Sequence, residues 1–369
     1  MLKAAIGVLF SFLALFFLTP AAYSAEPSSA RASKQKAQAN KTSANRAVKP
    51  RRQATAANSP RSKVAGKKVA SAKSARRQQS RKVQGVAYSP AARAVPAALT
   101  AAEMAGLHLT SDPLDLKSNV ALVVDAKTSD VLLEKNAAVA LPIASITKLM
   151  TGLIVVEANQ AMDEVLTVTA ADIDREKFSH SRLRVGSQLT RADMLHISLM
   201  SSENRAASAL GRHYPGGLPA FVSAMNVKAK LLGMNRTRYV DSTGLSSGNV
   251  SSAHDLAKLV VAAYQHPVIR RYSTDSKYVV EPGAGALHYK NSNYLIEKSD
   301  WDIGLQKTGY ISEAGRCLVM QARIDGRSVV MIFLDSKGKL SRIADAARVR
   351  RWIETTRPLV SSSVIAQQG

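Results

Sequence analysis

From about residue 104 onward the chain has a readable rhythm of apolar and polar positions. "NVALVVDAKTSDVLLEKN" is two alternating apolar runs around a polar turn, which predicts a β-hairpin. An apolar run, "PIASITKLMTGLIVVEAN", follows and predicts a helix. Residues 160–200 are mixed, with a turn at "RVGSQLT" and a helix in "RADMLHISLMSS". "NRAASALGRHY" and "LPAFVSAMNVKAKLLGM" are helical by period and by their Ala and Leu content. "DSTGLSSGNVSS" reads as loop, and "AHDLAKLVVAAYQHP" as a helix that stops near Pro267. Strands return in "DIGLQKTGYIS" and in "RCLVMQARIDGRSVVMIFLDS", whose "DG" is a strong hairpin signal. A helix over about Leu340–Thr355 closes the domain. An early hairpin, a helical middle and late strands imply one α/β domain. Its sheet takes strands from both ends of the sequence, and its helices form an insertion.

Charge changes the picture of the first hundred residues. The chain has 369 residues and a net charge of +24, but 19 Lys and Arg and a single acidic residue fall in the first hundred. Residues 26–100 are rich in Ala, Ser, Lys, Arg and Gln, with no Asp or Glu between Pro27 and Ala102. Such a segment buries too little apolar surface to offset its chain entropy, so a disordered basic linker is expected. Ahead of it, Lys3, "AAIGVLFSFLALFFL" and "TPAAYSA" have the charge, apolar stretch and small-residue exit of a cleaved secretory signal over residues 1–25. Export makes nucleic acid an unexpected partner for the linker and leaves the cell wall, anionic headgroups and acidic polymers of the envelope. The ordered domain is expected over residues 104–360. The lone cysteine, Cys317, cannot form an intramolecular disulfide and reads as a small core residue of a strand.

The apolar helix carries the first chemical clue. It opens with a hydroxyl, Ser145, and places an ammonium, Lys148, three residues on. Residues three apart meet across one helical turn. Burying a lysine is unfavourable unless the site uses it. A serine becomes a nucleophile when a base takes its proton. Lysine can be that base if it is neutral, which means lowering its pKa by roughly 3 units, or about 4 kcal/mol. Burial and a neighbouring cation both act in that direction. The start of a helix also offers free backbone N–H groups for a developing oxyanion.

S-x-x-K alone is weak, since Ser33/Lys36 and Ser336/Lys339 also fit it. Two further motifs follow in order: Ser202-Glu203-Asn204, between two helical runs, and the single Lys307-Thr308-Gly309, on a strand-like run. Ser247-Gly248-Asn249 also fits S-x-N, but reads as a loop turn. S-x-x-K, S-x-N and K-T-G in this order are the signature of serine penicillin-recognising enzymes.

"LPIASITKLMT", "LMSSENRAASALGRHYPGG" and "LQKTGYISEAGRCLVMQA" resemble the low-molecular-mass penicillin-binding proteins, in particular those of D-alanyl-D-alanine endopeptidase type. The resemblance runs from about Leu114 to Thr355. It implies a five-stranded antiparallel sheet flanked by helices, a helical subdomain, and an active site between them. Ser145 would be the nucleophile, Lys148 its base, and Ser202 the relay of a proton to the leaving amine. Asn204 would hold the substrate backbone. Lys307 would supply positive potential that keeps Lys148 neutral and draws in the substrate carboxylate, which Thr308 of the Lys307-Thr308-Gly309 motif would bind. The backbone N–H groups of Ser145 and Tyr310 would form the oxyanion hole. No metal or cofactor is called for. The substrate would be peptidoglycan peptide stems, and β-lactams would be covalent inhibitors.

Common β-lactamases add a glutamate in the form E-x-x-L-N ahead of K-T-G. Between Asn204 and Lys307 the glutamates are Glu281 and Glu297, and neither has that form. Related D,D-carboxypeptidases usually carry a further β-rich domain and an amphipathic anchor helix. Here about sixty residues follow Gly309, and "SSSVIAQQG" does not read as an anchor. The expectation is therefore a periplasmic endopeptidase that cuts the D-Ala–diaminopimelate cross-link, with D,D-carboxypeptidase activity as the alternative. Arg316 is placed to meet the substrate carboxylate by its strand position, but an ordinary strand charge is the simpler reading. Trp301 and Trp352 are expected to pack at the core or its rim.

Overall fold

The computed structural model describes residues 98–283 and 285–356. The expected signal at 1–25 lies outside these residues, as do nearly all of the basic segment 26–100 and the C-terminal "SSSVIAQQG".

The predicted hairpin forms from β1 (Ser118–Asp125) and β2 (Val131–Lys135). The late runs form β3 (Asp302–Ile311), β4 (Gly315–Ile324) and β5 (Arg327–Ser336). They join in one antiparallel sheet of order β2-β1-β5-β4-β3. Strand β1 therefore pairs with β5, with Val120 opposite Leu334, although about two hundred residues separate them. Asp325 and Gly326, both at positive φ, turn β4 into β5 where "DG" predicts a tight hairpin.

The pattern predicts alternation in β1, yet Val120, Ala121, Leu122 and Val123 are all fully buried. Val120 and Leu122 belong to one apolar cluster, and Ala121 and Val123 to a second. Helices cover both faces of the sheet, so both faces must be apolar. The second face is covered by the last helix, α7 (Ser341–Thr355), through Ile343, Ala346, Val349 and Ile353, with Trp301 and Trp352 packed at its rim. Its buried Asp345 accepts hydrogen bonds from the Ser118 backbone and hydroxyl at 2.9 and 2.6 Å, which ties the helix to the start of β1. Cys317 is buried in β4, and burial pushes its thiol up to about 12.

The other face takes the middle of the chain. The helices here are α1 (Thr147–Glu157), α2 (Arg191–Ser201), α3 (Asn204–Arg212), α4 (Gly217–Leu231), α5 (Ala253–Tyr264) and α6 (Pro267–Thr274); α7 spans Ser341–Thr355. Thr190 and Ser252 cap α2 and α5 by accepting from the backbone N–H groups of Asp193 and Asp255, at 3.0 and 3.2 Å. Pro267 does lie beyond the end of α5, but it also opens α6 as its first residue, where the missing N–H removes no helical bond. The sequence pattern did not indicate that helix. Nor did it indicate three small antiparallel ladders: Leu141–Pro142 with Val250–Ser251, Val165–Thr167 with Gln188–Thr190, and Lys277–Val280 with Leu287–Lys290.

Candidate active site

Ser145 lies in a single 3₁₀ turn, Ala144–Ile146, directly ahead of α1. The preceding Ala144 is held at φ 49°, a left-handed conformation that strains a residue with a Cβ by roughly 1–2 kcal/mol. Two glycines press on this turn. A Cβ on Gly309 of β3 would stand 3.0 Å from the Ile143 carbonyl oxygen and 3.1 Å from the Ser145 nitrogen. A Cβ on Gly244 (φ 80°) would stand 1.9 Å from the Ala144 carbonyl oxygen. Gly244→Ala is therefore expected to destabilise the protein by about 2 kcal/mol or more. It should also slow Ser145 acylation; thermal denaturation and labelling by a β-lactam measure the two effects.

Lys148 follows on the first turn of α1 and is fully buried. Its ammonium donates to Ser145 Oγ at 3.0 Å, to Asn204 Oδ1 at 2.7 Å and to the Thr243 carbonyl at 2.6 Å. Burial brings its pKa down to about 8, against the opposing pull of Asp241, Glu203 and Asp174. A lysine in this state can accept the proton of the hydroxyl it touches. The loop that supplies the Thr243 carbonyl is shaped by Asp241. That carboxylate accepts from the backbone N–H groups of Thr243, Gly244 and Ser246 at 2.6, 2.6 and 3.0 Å.

Ser202-Glu203-Asn204 forms the joint between α2 and α3. Ser202 caps α2 in the left-handed region at φ 64°, and Glu203 caps α3 by accepting from the Arg205 N–H. Glu203 points away from the cleft, where Ser181 and Tyr289 donate to its carboxylate at 2.6 and 3.2 Å. Asn204 thus faces inward, with its oxygen on Lys148 and its amide donating to Ser179 Oγ at 2.8 Å. The rival copy, Ser247-Gly248-Asn249, is a loop turn: Asn249 accepts from the Val240 N–H and donates to Asp241.

Lys307, Thr308 and Gly309 lie within β3, the edge strand of the sheet. Lys307 is fully buried and donates to the Thr308 carbonyl at 2.9 Å. Burial, then the positive charges of Lys148 and Arg342, hold it well below the usual lysine range. For Lys148 itself burial is the leading cause, whereas the family resemblance assigns part of the effect to Lys307. Thr308 Oγ1 donates to Ser292 Oγ at 2.7 Å, and Tyr310 is 57% exposed.

These elements enclose a cleft of about 490 Å³ whose walls include Ser145, Ser202, Asn204, Thr308, Gly309 and Tyr310. All eight residues singled out from the sequence therefore meet in one place: six line the cleft, and the two lysines lie buried beneath it. Lys177, Ser179 and Arg342 are among the cleft residues that the sequence does not single out. Lys177 and Ser179 sit on a loop that Asp174 organises by accepting from backbone N–H groups. Arg342, near the start of α7, also lines the cleft, and its Nε and one terminal nitrogen are buried with no hydrogen-bond partner among the described residues. Arg316 instead stacks its guanidinium over the Tyr310 ring at 4.6 Å. Glu281 and Glu297 are both exposed.

A family profile described as D-alanyl-D-alanine carboxypeptidase matches residues 108–338. The chain belongs to this family. It is 48% identical over 254 residues to a D-alanyl-D-alanine endopeptidase of Pseudomonas aeruginosa, covering 68% of this chain and 81% of that one. It is 43% identical over 264 residues to a D-alanyl-D-alanine endopeptidase of Escherichia coli, covering 71% and 85%. Among solved structures, penicillin-binding protein D2 of Listeria monocytogenes in its cefotaxime-bound form superposes with a TM-score of 0.58 at 29% identity, over 65% of this chain and 98% of that one. The β3 edge strand and the helical insertion are therefore those of a serine D,D-peptidase, as the motif order implies.

Proposed function

We propose that the protein is a D-alanyl-D-alanine endopeptidase of the periplasm that hydrolyses D-Ala–diaminopimelate cross-links in peptidoglycan. The observation that carries this is the buried Lys148 ammonium, 3.0 Å from Ser145 Oγ. The endopeptidase name of its relatives supports the choice of bond. Neutral Lys148 takes the Ser145 proton as Oγ attacks the D-Ala carbonyl. The backbone N–H groups of Ser145 and Tyr310 stabilise the oxyanion. The tetrahedral intermediate collapses, the C–N bond breaks, and the amine leaves with a proton passed by way of Ser202. Water then hydrolyses the Ser145 ester and restores the hydroxyl. Asn204 holds the donor backbone. Thr308 and Arg342 receive the carboxylate beside the scissile amide; Lys307, buried behind Thr308, adds positive potential in its protonated form.

Digestion of cross-linked muropeptide dimers tests the reading. Conversion of dimers to monomers is the expected result. Release of terminal D-Ala alone would make the protein a D,D-carboxypeptidase. The arrangement also predicts that β-lactams acylate Ser145 and remain there. For the basic segment 26–100 we propose charge-driven retention on anionic envelope polymers. Binding to isolated peptidoglycan should then weaken steeply between low and high salt, and deletion of that segment should abolish the dependence. Salt-independent binding would leave the segment as a spacer.

A further inference from the structure

The cleft has a direction. Ser145 abuts Gly309, and from there β3 runs past Tyr310 to its end at Ile311, with Ser312 and Glu313 in the turn beyond. At that far end Lys177, from the helical wall, donates to Glu313 Oε1 at 2.5 Å. Lys177 lines the cleft, and Glu313 directly follows Ser312, which lines it too. Lys177 and Glu313 are 25% and 37% exposed, so water and ligands reach them. Ion pairs of this exposure contribute about 1 kcal/mol or less and exchange partners readily.

The surroundings leave the pair free to do so. Of the carboxylates beside Lys177 on its loop, Glu176 is exposed, and Asp174 is occupied by the backbone N–H groups of Glu176, Lys177 and Ser179, at 2.9, 2.9 and 2.7 Å. Glu313 Oε2 accepts a hydroxyl proton from Ser312 at 2.8 Å. Ile311 and Leu245 give the cleft apolar walls.

We propose that Lys177 and Glu313 form a subsite for the zwitterionic remote centre of the diamino acid in the acyl-donor stem. Lys177 takes its carboxylate and Glu313 its ammonium, each exchanging one partner of the ion pair for a group of the substrate. This rests on the proposed endopeptidase reading, because such a stem places an ammonium and a carboxylate on one carbon at the end of a short methylene chain. From the reacting D-Ala carbonyl to that carbon is roughly 10 Å of covalent structure. From Gly309 to Ile311, where β3 ends, is two residues, or roughly 7 Å of extended backbone, and Glu313 lies two residues further on in the turn. Ile311 and Leu245 then flank the methylenes. A stem that ends in a simple amine would meet Glu313 but leave Lys177 without a partner.

The test uses β-lactams and so does not depend on cross-link cleavage. Cephalosporin C carries a D-α-aminoadipyl side chain with a free ammonium and carboxylate; its N-acetyl and its side-chain carboxamide derivatives each lack one charge. The measurement is the second-order rate of Ser145 acylation of the full chain by each probe, compared within each variant as a ratio. In the natural protein cephalosporin C should react about tenfold faster than either derivative, the effect of one charge-assisted contact. Glu313→Gln should erase the preference over the N-acetyl probe, and Lys177→Met the preference over the carboxamide. The charge-swapped double variant K177E/E313K keeps an ion pair but reverses its sense, and should lose both preferences. Equal rates for the three probes in the natural protein would overturn the proposal. So would preferences that survive the swap, since the pair would then be only a clasp. If the probes are discriminated but muropeptide dimers are not cut, the endopeptidase reading fails while the subsite stands.

Discussion

Ser145→Ala abolishes covalent labelling by benzylpenicillin and lowers dimer cleavage by roughly 10⁴-fold or more, the loss expected when a covalent nucleophile is removed. The size follows from how the site is built. Lys148 reaches one hydroxyl, Ser145, at 3.0 Å, and its other two contacts are oxygens that have no proton to give. Ser202 remains in the cleft, but its backbone is held at φ 64° by the joint between α2 and α3. It therefore cannot move to the 3₁₀ turn that abuts the Gly309 backbone. The substitution should leave the fold intact, because the turn is set by Ala144, Gly244 and Gly309 rather than by the Ser145 hydroxyl. Intact-mass spectrometry with and without benzylpenicillin, together with a thermal melt, separates the two effects. An adduct that persists on another serine would refute the assignment.

The rate of Ser145 acylation rises with pH through about 8 and then levels off. Lys148 must be neutral to act as a base, and its pKa is about 8. At pH 7 about one molecule in ten carries the neutral form, so the rate should climb nearly tenfold per pH unit below that value. Lys148→Arg keeps the positive charge, removes the base, and should lower acylation by roughly 10³–10⁴-fold while flattening the profile. The same burial makes stability depend on pH. The folded pKa lies below the unfolded value of 10.5, so the unfolded chain binds more protons between the two. The destabilisation, about 3 kcal/mol, is complete below pH 8 and disappears as pH rises to 10.5. Stopped-flow acylation across this range, with a chromogenic cephalosporin, tests the profile. A rate that stays flat through pH 8 in the natural protein would mean that another group takes the proton.

The motifs were legible because each is short and sits on an element with its own local signal. Ser145 and Lys148 stand at the head of an apolar run. Asp325-Gly326 marks a hairpin. Ser202 and Asn204 fall where two helical patterns meet. The misreadings also have local causes. Pro267 reads as a stop because proline ends helices, yet proline is equally at home in the first turn of the next one. Strand β1 reads as alternating, but helices cover both faces of the sheet and Val120 through Val123 are all buried. Arg342 has no pattern around it that separates it from the other arginines of α7. Its role depends on where that helix begins relative to β3, which no local window contains.

By itself, the sequence determined the long helices and the sheet strands, the motif order and the chemistry those motifs permit, since helix period, turn residues and side-chain reactivity act over a few neighbouring positions. Only the tertiary structure decided the strand order β2-β1-β5-β4-β3, the approach of Gly244 and Gly309 to the Ser145 turn, and the burial that brings Lys148 to about 8. It alone also decided the pairing of Lys177 with Glu313, 136 residues apart. These depend on contacts between segments far apart in the chain, and periodicity carries no information about which distant segments pack together.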